Sequence, residues 1–174
     1  MPADPTRPRL KVTLTRRLPG PVEARMAELF DLIPNPEDRK MTRDELAAAM
    51  RHSDVLVPTV TDRIDAPLLA QAGERLKLIA NYGAGVDHID VQSARQRGIL
   101  VSNTPGVVTE DTADMTMALI LAVTRRIPEG LAEMQAGRWQ GWSPTAHLGG
   151  RVGGRRLGIL GMGRIGQALS LIHI

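Results

Sequence analysis

Short runs of apolar, largely β-branched residues recur along this chain, each followed by a stretch with helical spacing. That alternation restricts the fold more than any other feature. Lys11 to Thr15 is one such run, Val55 to Val57 a second, Leu76 to Ala80 a third and Ile99 to Ser102 a fourth. Between and beside them, Val22 to Leu32, Arg43 to Met50, Pro67 to Ala72 and Val91 to Arg97 space their apolar residues as helices do. Pro19-Gly20-Pro21 and Asn35-Pro36 read as breaks, and Thr42 is placed to cap the second helix. Short strands alternating with helices predict a parallel sheet with right-handed crossovers. Aromatic residues make up only 2% of the chain against 43% hydrophobic. The core must therefore be Leu, Ile, Val, Ala and Met, which suits buried parallel strands under helices better than a sandwich.

Thr104-Pro105-Gly106 interrupts the pattern and marks the candidate domain boundary. Beyond it, Thr109 is read as the cap of a helix with Glu110 and Asp111 in its first turn and Arg125-Arg126 at its end, charges that suit the helix dipole. Met115, Leu119, Ile120 and Val123 leave that helix apolar on most sides, which predicts burial between domains or subunits. Residues 127–154 are polar, Gly-rich and hold both tryptophans, and Arg156 to Leu160 is expected to form one more strand.

That strand runs into Gly161-Met162-Gly163-Arg164-Ile165-Gly166 and then a helix start. A bare G-x-G-x-x-G is weak, because glycines cluster in ordinary loops. The apolar strand before it supplies the context of a dinucleotide site. Gly161 would permit the tight turn, Gly163 the approach of a pyrophosphate and Gly166 close packing of helix on strand. The amides near Arg164 and Ile165 would face the phosphates. The acidic ribose partner expected ~20 residues later lies beyond Ile174, so NAD and NADP are not separated. A second Gly-rich loop, Gly83-Ala84-Gly85, follows the third strand, at the edge where such sheets bind ligands. Its exposed backbone would suit an anion, although such a loop alone is more often a tight turn.

Several function classes are disfavoured. The pI near 9.9 comes with a net charge of only +3, and the basic residues are scattered with almost no aromatics among them. That pattern argues against nucleic acid as partner. Without cysteine there is neither a disulfide framework nor a thiolate metal site, and the four histidines are dispersed, so no metal is expected. The start, MPADPTRPRL, has no signal-like apolar core, and Met115 to Val123 falls short of the ~20 residues that cross a bilayer. A cytoplasmic protein without membrane partners is expected.

Three ordered motifs carry a family resemblance: Asn81 to Asp90 (NYGAGVDHID), Gly98 to Gly106 (GILVSNTPG) and Thr109 to Asp114 (TEDTAD). Together they resemble the D-isomer-specific 2-hydroxyacid dehydrogenases, most closely the glyoxylate/hydroxypyruvate reductase (D-glycerate dehydrogenase) branch, from Lys11 to about Ala168. The resemblance implies a flavodoxin-like substrate-binding domain over residues 1–105, lacking its C-terminal return. The start of a Rossmann NAD(P)-binding domain over 106–168 would follow, with a dimerisation arm at 127–154. It implies that the amides of Ala84 and Gly85 hold a substrate carboxylate and that the loop from Val57 to Thr59 lines the same pocket. Pro58 departs from the family's usual residues there. Thr112 corresponds to a threonine near the cofactor, and Asn103-Thr104-Pro105 to a hinge beside the nicotinamide cleft. Trp139 and Trp142 correspond to arm tryptophans. Trp142 either reaches a neighbour's pocket or only packs the arm, and both readings imply a homodimer.

The catalytic Arg, Glu and His of such enzymes would lie beyond this chain, so none of its residues is assigned a catalytic role and the fragment is expected to be inactive. His88 falls at a variable position, which favours a structural role; His52 sits at a helix end and His147 in the arm. The resemblance implies reduction of glyoxylate or hydroxypyruvate to the D-2-hydroxy acid with NADH or NADPH. Phosphoglycerate, D-lactate or formate as substrates, a non-catalytic NAD(H)-sensing protein of the same fold and a half-length anion-binding module are the alternatives. Leu169 to Ile174 resembles a translated sequencing adapter, and residues 169–174 are expected to be an artefactual tail.

Overall fold

Five strands, β1 (Lys11–Leu14), β2 (Asp31–Ile33), β3 (Val55–Val57), β4 (Leu78–Ala80) and β5 (Leu100–Ser102), pair in parallel in the order β2-β1-β3-β4-β5. The computed structural model describes residues 8–171. This α/β sheet and its helices belong to a unit that ends at Pro105, and the chain from Gly106 onward forms a second unit.

The pleat sorts side chains to the two faces of the sheet. Val12, Leu14 and Val57 form one cluster with Leu18, against which Met26 of α1 (Gly20–Leu29) packs. Leu56 and Ile79 belong to the other. They are joined there by Leu46 and Met50 of α2 (Arg43–His52), Leu68 and Leu69 of α3 (Ala66–Leu69) and Ala94 of α4 (Val91–Gln96). Each fully buried Leu or Ile contributes about 1.5–3 kcal/mol, and Phe30 packs at the margin of the first cluster. Capping fixes the helix starts. Thr42 and Glu45 form a reciprocal capping box on α2, Asp65 caps α3 and Asp90 caps α4.

The sheet corrects one sequence expectation. Val22 to Leu32 is not a single helix: Phe30 turns extended after α1, and Asp31–Ile33 becomes edge strand β2 against β1. Leu29, Leu32 and Ile33 fit helical spacing as well as strand spacing, so periodicity could not divide the segment. Pro19-Gly20-Pro21, read as a break, is the N-cap and first turn of α1, where proline's missing N–H is harmless.

The second unit contains α5 (Thr109–Thr124), α6 (Ile127–Gln135) and α7 (Arg164–Leu171). Thr109 is not the cap of α5. Val108 occupies that position without a side-chain bond, and Thr109 lies inside the helix. Nor is α5 buried in this chain: only Ala113 is, and Met115, Leu119, Leu121 and Val123 are exposed. Residues 156–160 form no strand. Strand structure needs a ladder partner, and the described residues of this unit contain no other strand. Leu169, assigned to the adapter-like tail, is buried with Ala113 and Ala168; residues 172–174 lie outside the described residues. Among the described residues, no helix is long and apolar enough to cross a membrane.

Candidate active site

At the carboxyl end of β4, Asn81 is buried to 2% exposure and its side chain organises the loop that follows. Its Nδ2 donates to the carbonyls of Gly83 (3.0 Å) and Gly85 (2.8 Å), and its Oδ1 lies 2.9 Å from His88 Nε2. Asn103, just past β5, donates from Nδ2 to the Ala84 carbonyl at 2.8 Å, and the Thr104 amide donates to the Gly83 carbonyl at 3.0 Å. The loop's carbonyls are thereby engaged. By contrast, the amides of Ala84, Gly85 and Val86 donate to no acceptor among the described residues. A Cβ on Gly83 would press on the Val60 side chain (3.0 Å) and Asn81 Nδ2 (3.3 Å), so this glycine fits the clamp. His88 is a structural partner, and burial pushes it below its ordinary pKa against the pull of Asp62 and Asp87.

The chain reverses its direction across the sheet between β1 and β3, the switch point at which open α/β sheets form crevices. Here that crevice is closed by Asp62, which is fully buried. Its Oδ2 accepts from Thr15 Oγ1 and from the Thr59 amide at 2.9 Å. Val57 is likewise committed: its side chain is in the core and its carbonyl accepts from the Thr15 amide at 3.1 Å. Pro58 ties the two loops together, accepting from the Tyr82 amide at 2.8 Å. A neighbouring cleft of about 600 Å³ is lined by Asp62, Asp65, Asp87, His88 and Asp90 and by none of Val57, Ala84 and Gly85. Its carboxylates would repel an anion, and Asp65 and Asp90 are already spent on helix caps. Among the described residues, no group of three or more potential ligands could hold a metal ion.

In the second unit, the six residues Gly161 to Gly166 form a turn into α7. Gly161 adopts φ +99°, a conformation that favours glycine. A Cβ on Gly166 would fall on the Gly161 carbonyl oxygen, far inside van der Waals contact, so helix and turn meet here only because residue 166 lacks one. Around Gly163 a Cβ would meet nothing within 4 Å. Met162 offers its carbonyl to Gln167 Nε2 at 3.0 Å, and Arg164 and Ile165 open α7, where the first amides have no helical acceptor. These features fit a dinucleotide's pyrophosphate. The Thr112 hydroxyl donates back to the Val108 carbonyl at 2.6 Å. Within residues 127–154, His147 Nε2 pairs with Glu133 Oε2 at 2.7 Å and Trp142 is 86% exposed.

Residues 19–154 match the model of the D-isomer specific 2-hydroxyacid dehydrogenase catalytic domain. The glyoxylate reductase of Thermococcus litoralis is 43% identical over 164 residues, covering 92% of this chain and 49% of that protein. A protein of Thermus thermophilus superposes with a TM-score of 0.85 at 44% identity, over 94% of this chain and 52% of that one. The NADPH-dependent glyoxylate/hydroxypyruvate reductase of Sinorhizobium meliloti, solved in complex with NADP and malonate, does so at 0.76 and 30% identity, over 95% and 50%. This chain belongs to the D-isomer specific 2-hydroxyacid dehydrogenase family. It spans about half the length of these relatives.

Proposed function

We propose that this chain supplies the substrate-anion cradle and the beginning of the nucleotide site of an oxidoreductase. The enzyme reduces a small 2-oxo acid, glyoxylate or hydroxypyruvate, to the D-2-hydroxy acid with NADH or NADPH. The observation that carries this reading is the run of three unengaged amides, Ala84, Gly85 and Val86, at the carboxyl end of a parallel sheet in a chain of this family. Residues 1–105 act as the substrate domain. The Ala84 and Gly85 amides hold the carboxylate as charge-assisted donors, and the loop from Val57 to Thr59 lines the same pocket.

Residues 106–168 begin the dinucleotide domain, with Gly161, Met162, Gly163, Arg164, Ile165 and Gly166 around the pyrophosphate and Thr112 close to the cofactor. The bound nicotinamide would supply the hydride that goes to the keto carbon. Groups that bind the carbonyl and deliver its proton come from outside residues 1–174, so this chain alone has no turnover. The arm pairs two copies, with Trp142 reaching the neighbour's pocket. Dependence on reduced nicotinamide suits a cytoplasmic enzyme.

The test is initial-rate comparison with the gene product extended to its relatives' length, following loss of nicotinamide absorbance with NADH and NADPH. Glyoxylate and hydroxypyruvate should be reduced faster than the other 2-oxo acids, and the 174-residue chain should match the blank. Preference for oxidising phosphoglycerate, D-lactate or formate would overturn the substrate assignment. Nucleotide binding without any turnover would overturn the enzyme assignment.

A further inference from the structure

A trans peptide holds its C=O and the following N–H on opposite sides. Tethering the carbonyl of one residue therefore fixes the direction of the next residue's amide. In the loop after β4 this happens three times in succession. The Gly83 carbonyl is held by Asn81 Nδ2 and by the Thr104 amide, both at 3.0 Å. The Ala84 carbonyl is held by Asn103 Nδ2 at 2.8 Å, and the Gly85 carbonyl by Asn81 Nδ2 at 2.8 Å. The amides of Ala84, Gly85 and Val86 must then point away from Asn81 and Asn103. Three successive amides so turned form an anion-binding concavity. A loop containing two glycines would otherwise sample many other peptide orientations.

We infer that Asn81 and Asn103 are positioning residues that aim these three amides at an oxyanion, and that His88 locks Asn81 in the required orientation. This inference rests on the anion-cradle reading above. Both Nδ2 hydrogens of Asn81 are spent on carbonyls, so its Oδ1 is left to accept, and His88 Nε2 at 2.9 Å is the donor. Loss of that donor leaves the buried Oδ1 without a partner, and the amide's orientation then rests only on the repulsion that a flipped oxygen would meet at the Gly83 and Gly85 carbonyls. The cradle gains selectivity for anions without a cation of its own: the carbonyls of Gly83, Ala84 and Gly85, which would repel an anion, are drawn to the opposite side.

The experiment is an oxalate titration of the ¹⁵N-labelled chain, read at the amides of Ala84, Gly85 and Val86. Wild type, Asn81→Ala, Asn81→Asp, His88→Ala and His88→Gln are compared, with the β4 and β5 amides reporting retention of the fold. Oxalate should shift all three amides in wild type. Asn81→Ala should weaken binding about tenfold, the loss of roughly one well-made hydrogen bond's orientation. Asn81→Asp should do worse, because a carboxylate cannot donate to either carbonyl and repels both of them and the anion. His88→Ala should weaken oxalate binding as well, and His88→Gln, which restores a donor, should recover it, a rescue that mere packing would not produce. Wild-type affinity in Asn81→Ala, or equal loss in both His88 variants, overturns the inference. If wild type binds no oxalate, the anion-cradle reading itself fails. The positioning claim is then decided by ¹⁵N order parameters without anion: a fall at residues 84–86 in Asn81→Ala upholds it, and unchanged values overturn it.

Discussion

Asp62 joins the carboxyl ends of β1 and β3, and its replacement tests whether the crevice at the switch point depends on one buried carboxylate. Three donors converge on its Oδ2, the Thr15 hydroxyl at 2.5 Å, the Thr59 amide at 2.9 Å and the Thr59 hydroxyl at 3.5 Å, while Oδ1 is buried without a hydrogen-bond partner among the described residues. Asp62→Ala orphans the Thr59 amide. The Thr15 hydroxyl can fall back on the Val57 carbonyl at 3.4 Å. One buried unsatisfied donor costs about 1–3 kcal/mol, and the void left by the side chain adds to it, so a loss of about 2–4 kcal/mol is expected. Asp62→Asn keeps an oxygen facing the donors but buries an NH2 where Oδ1 has no hydrogen-bond partner, and should cost about 1–3 kcal/mol. A double-mutant cycle with Thr15→Val isolates the bond to the hydroxyl, whose coupling should be about 1 kcal/mol or more. Native-state hydrogen exchange at the β1 and β3 amides is the appropriate assay, since one global unfolding free energy is ill defined for a chain of two units. Asp62→Ala within about 0.5 kcal/mol of wild type would refute the reasoning.

Glycines 163 and 166 should separate cofactor approach from folding. Gly166→Ala forces α7 away from the Gly161 turn, at a cost of about 1–3 kcal/mol. Gly163→Ala meets open space and should leave thermal stability unchanged while weakening dinucleotide binding in the full-length protein; unchanged affinity would remove Gly163 from the site. Glu45, held by the Arg39 guanidinium and the Thr42 amide, has its pKa lowered from 4.5 to about 2. Its contribution to α2 is complete above the unfolded value and is lost as pH falls from about 4.5 towards 2. Exchange protection of α2 should decline over that window in wild type and not in Glu45→Gln. Identical acid profiles would count against the capping box.

What the sequence made legible was local, and what it hid depended on partners distant along the chain. Val55 to Val57 was read with its bounds intact because a short β-branched run between breakers has few alternatives, and Thr42 was legible because capping acts over three residues. β2 was hidden because only pairing with β1 distinguishes Asp31–Ile33 from another helical turn. The expected strand at 156–160 failed for the converse reason, an apolar run without a ladder. In the candidate site, the Gly83-Ala84-Gly85 loop stood out by composition. The side chains that set it, Asn81, Asn103 and His88, lie up to 22 residues apart, and no spacing rule relates them. An asparagine just past a strand's end, two residues before Gly83-Ala84-Gly85, was the available signal. Asp62 gave none, since one aspartate in a polar loop looks solvated until the fold brings Thr15 to it.

The two units should also differ sharply in local stability. The first has aliphatic clusters on both faces of its sheet, whereas the second, among its described residues, clusters only Ala113, Ala168 and Leu169, with Met117 and Ile159 against them. Regions with few buried apolar contacts open at low free energy. Exchange from α5 should therefore be faster than from β3 and β4 by a factor corresponding to about 2 kcal/mol or more, roughly thirtyfold. The intrinsic fluorophores divide the same way, for Trp139 and Trp142 both lie beyond Gly106 and Tyr82 lies before it. Tryptophan emission should be solvent-like in the native chain and finish changing at lower urea than the far-ultraviolet circular dichroism; coincident transitions would refute the argument. Equal protection of α5 and β4 would mean that Leu119, Leu121 and Val123, all exposed in the single chain, are covered in solution. Protection that rises with protein concentration would then identify the cover as a second copy, because only association carries that dependence.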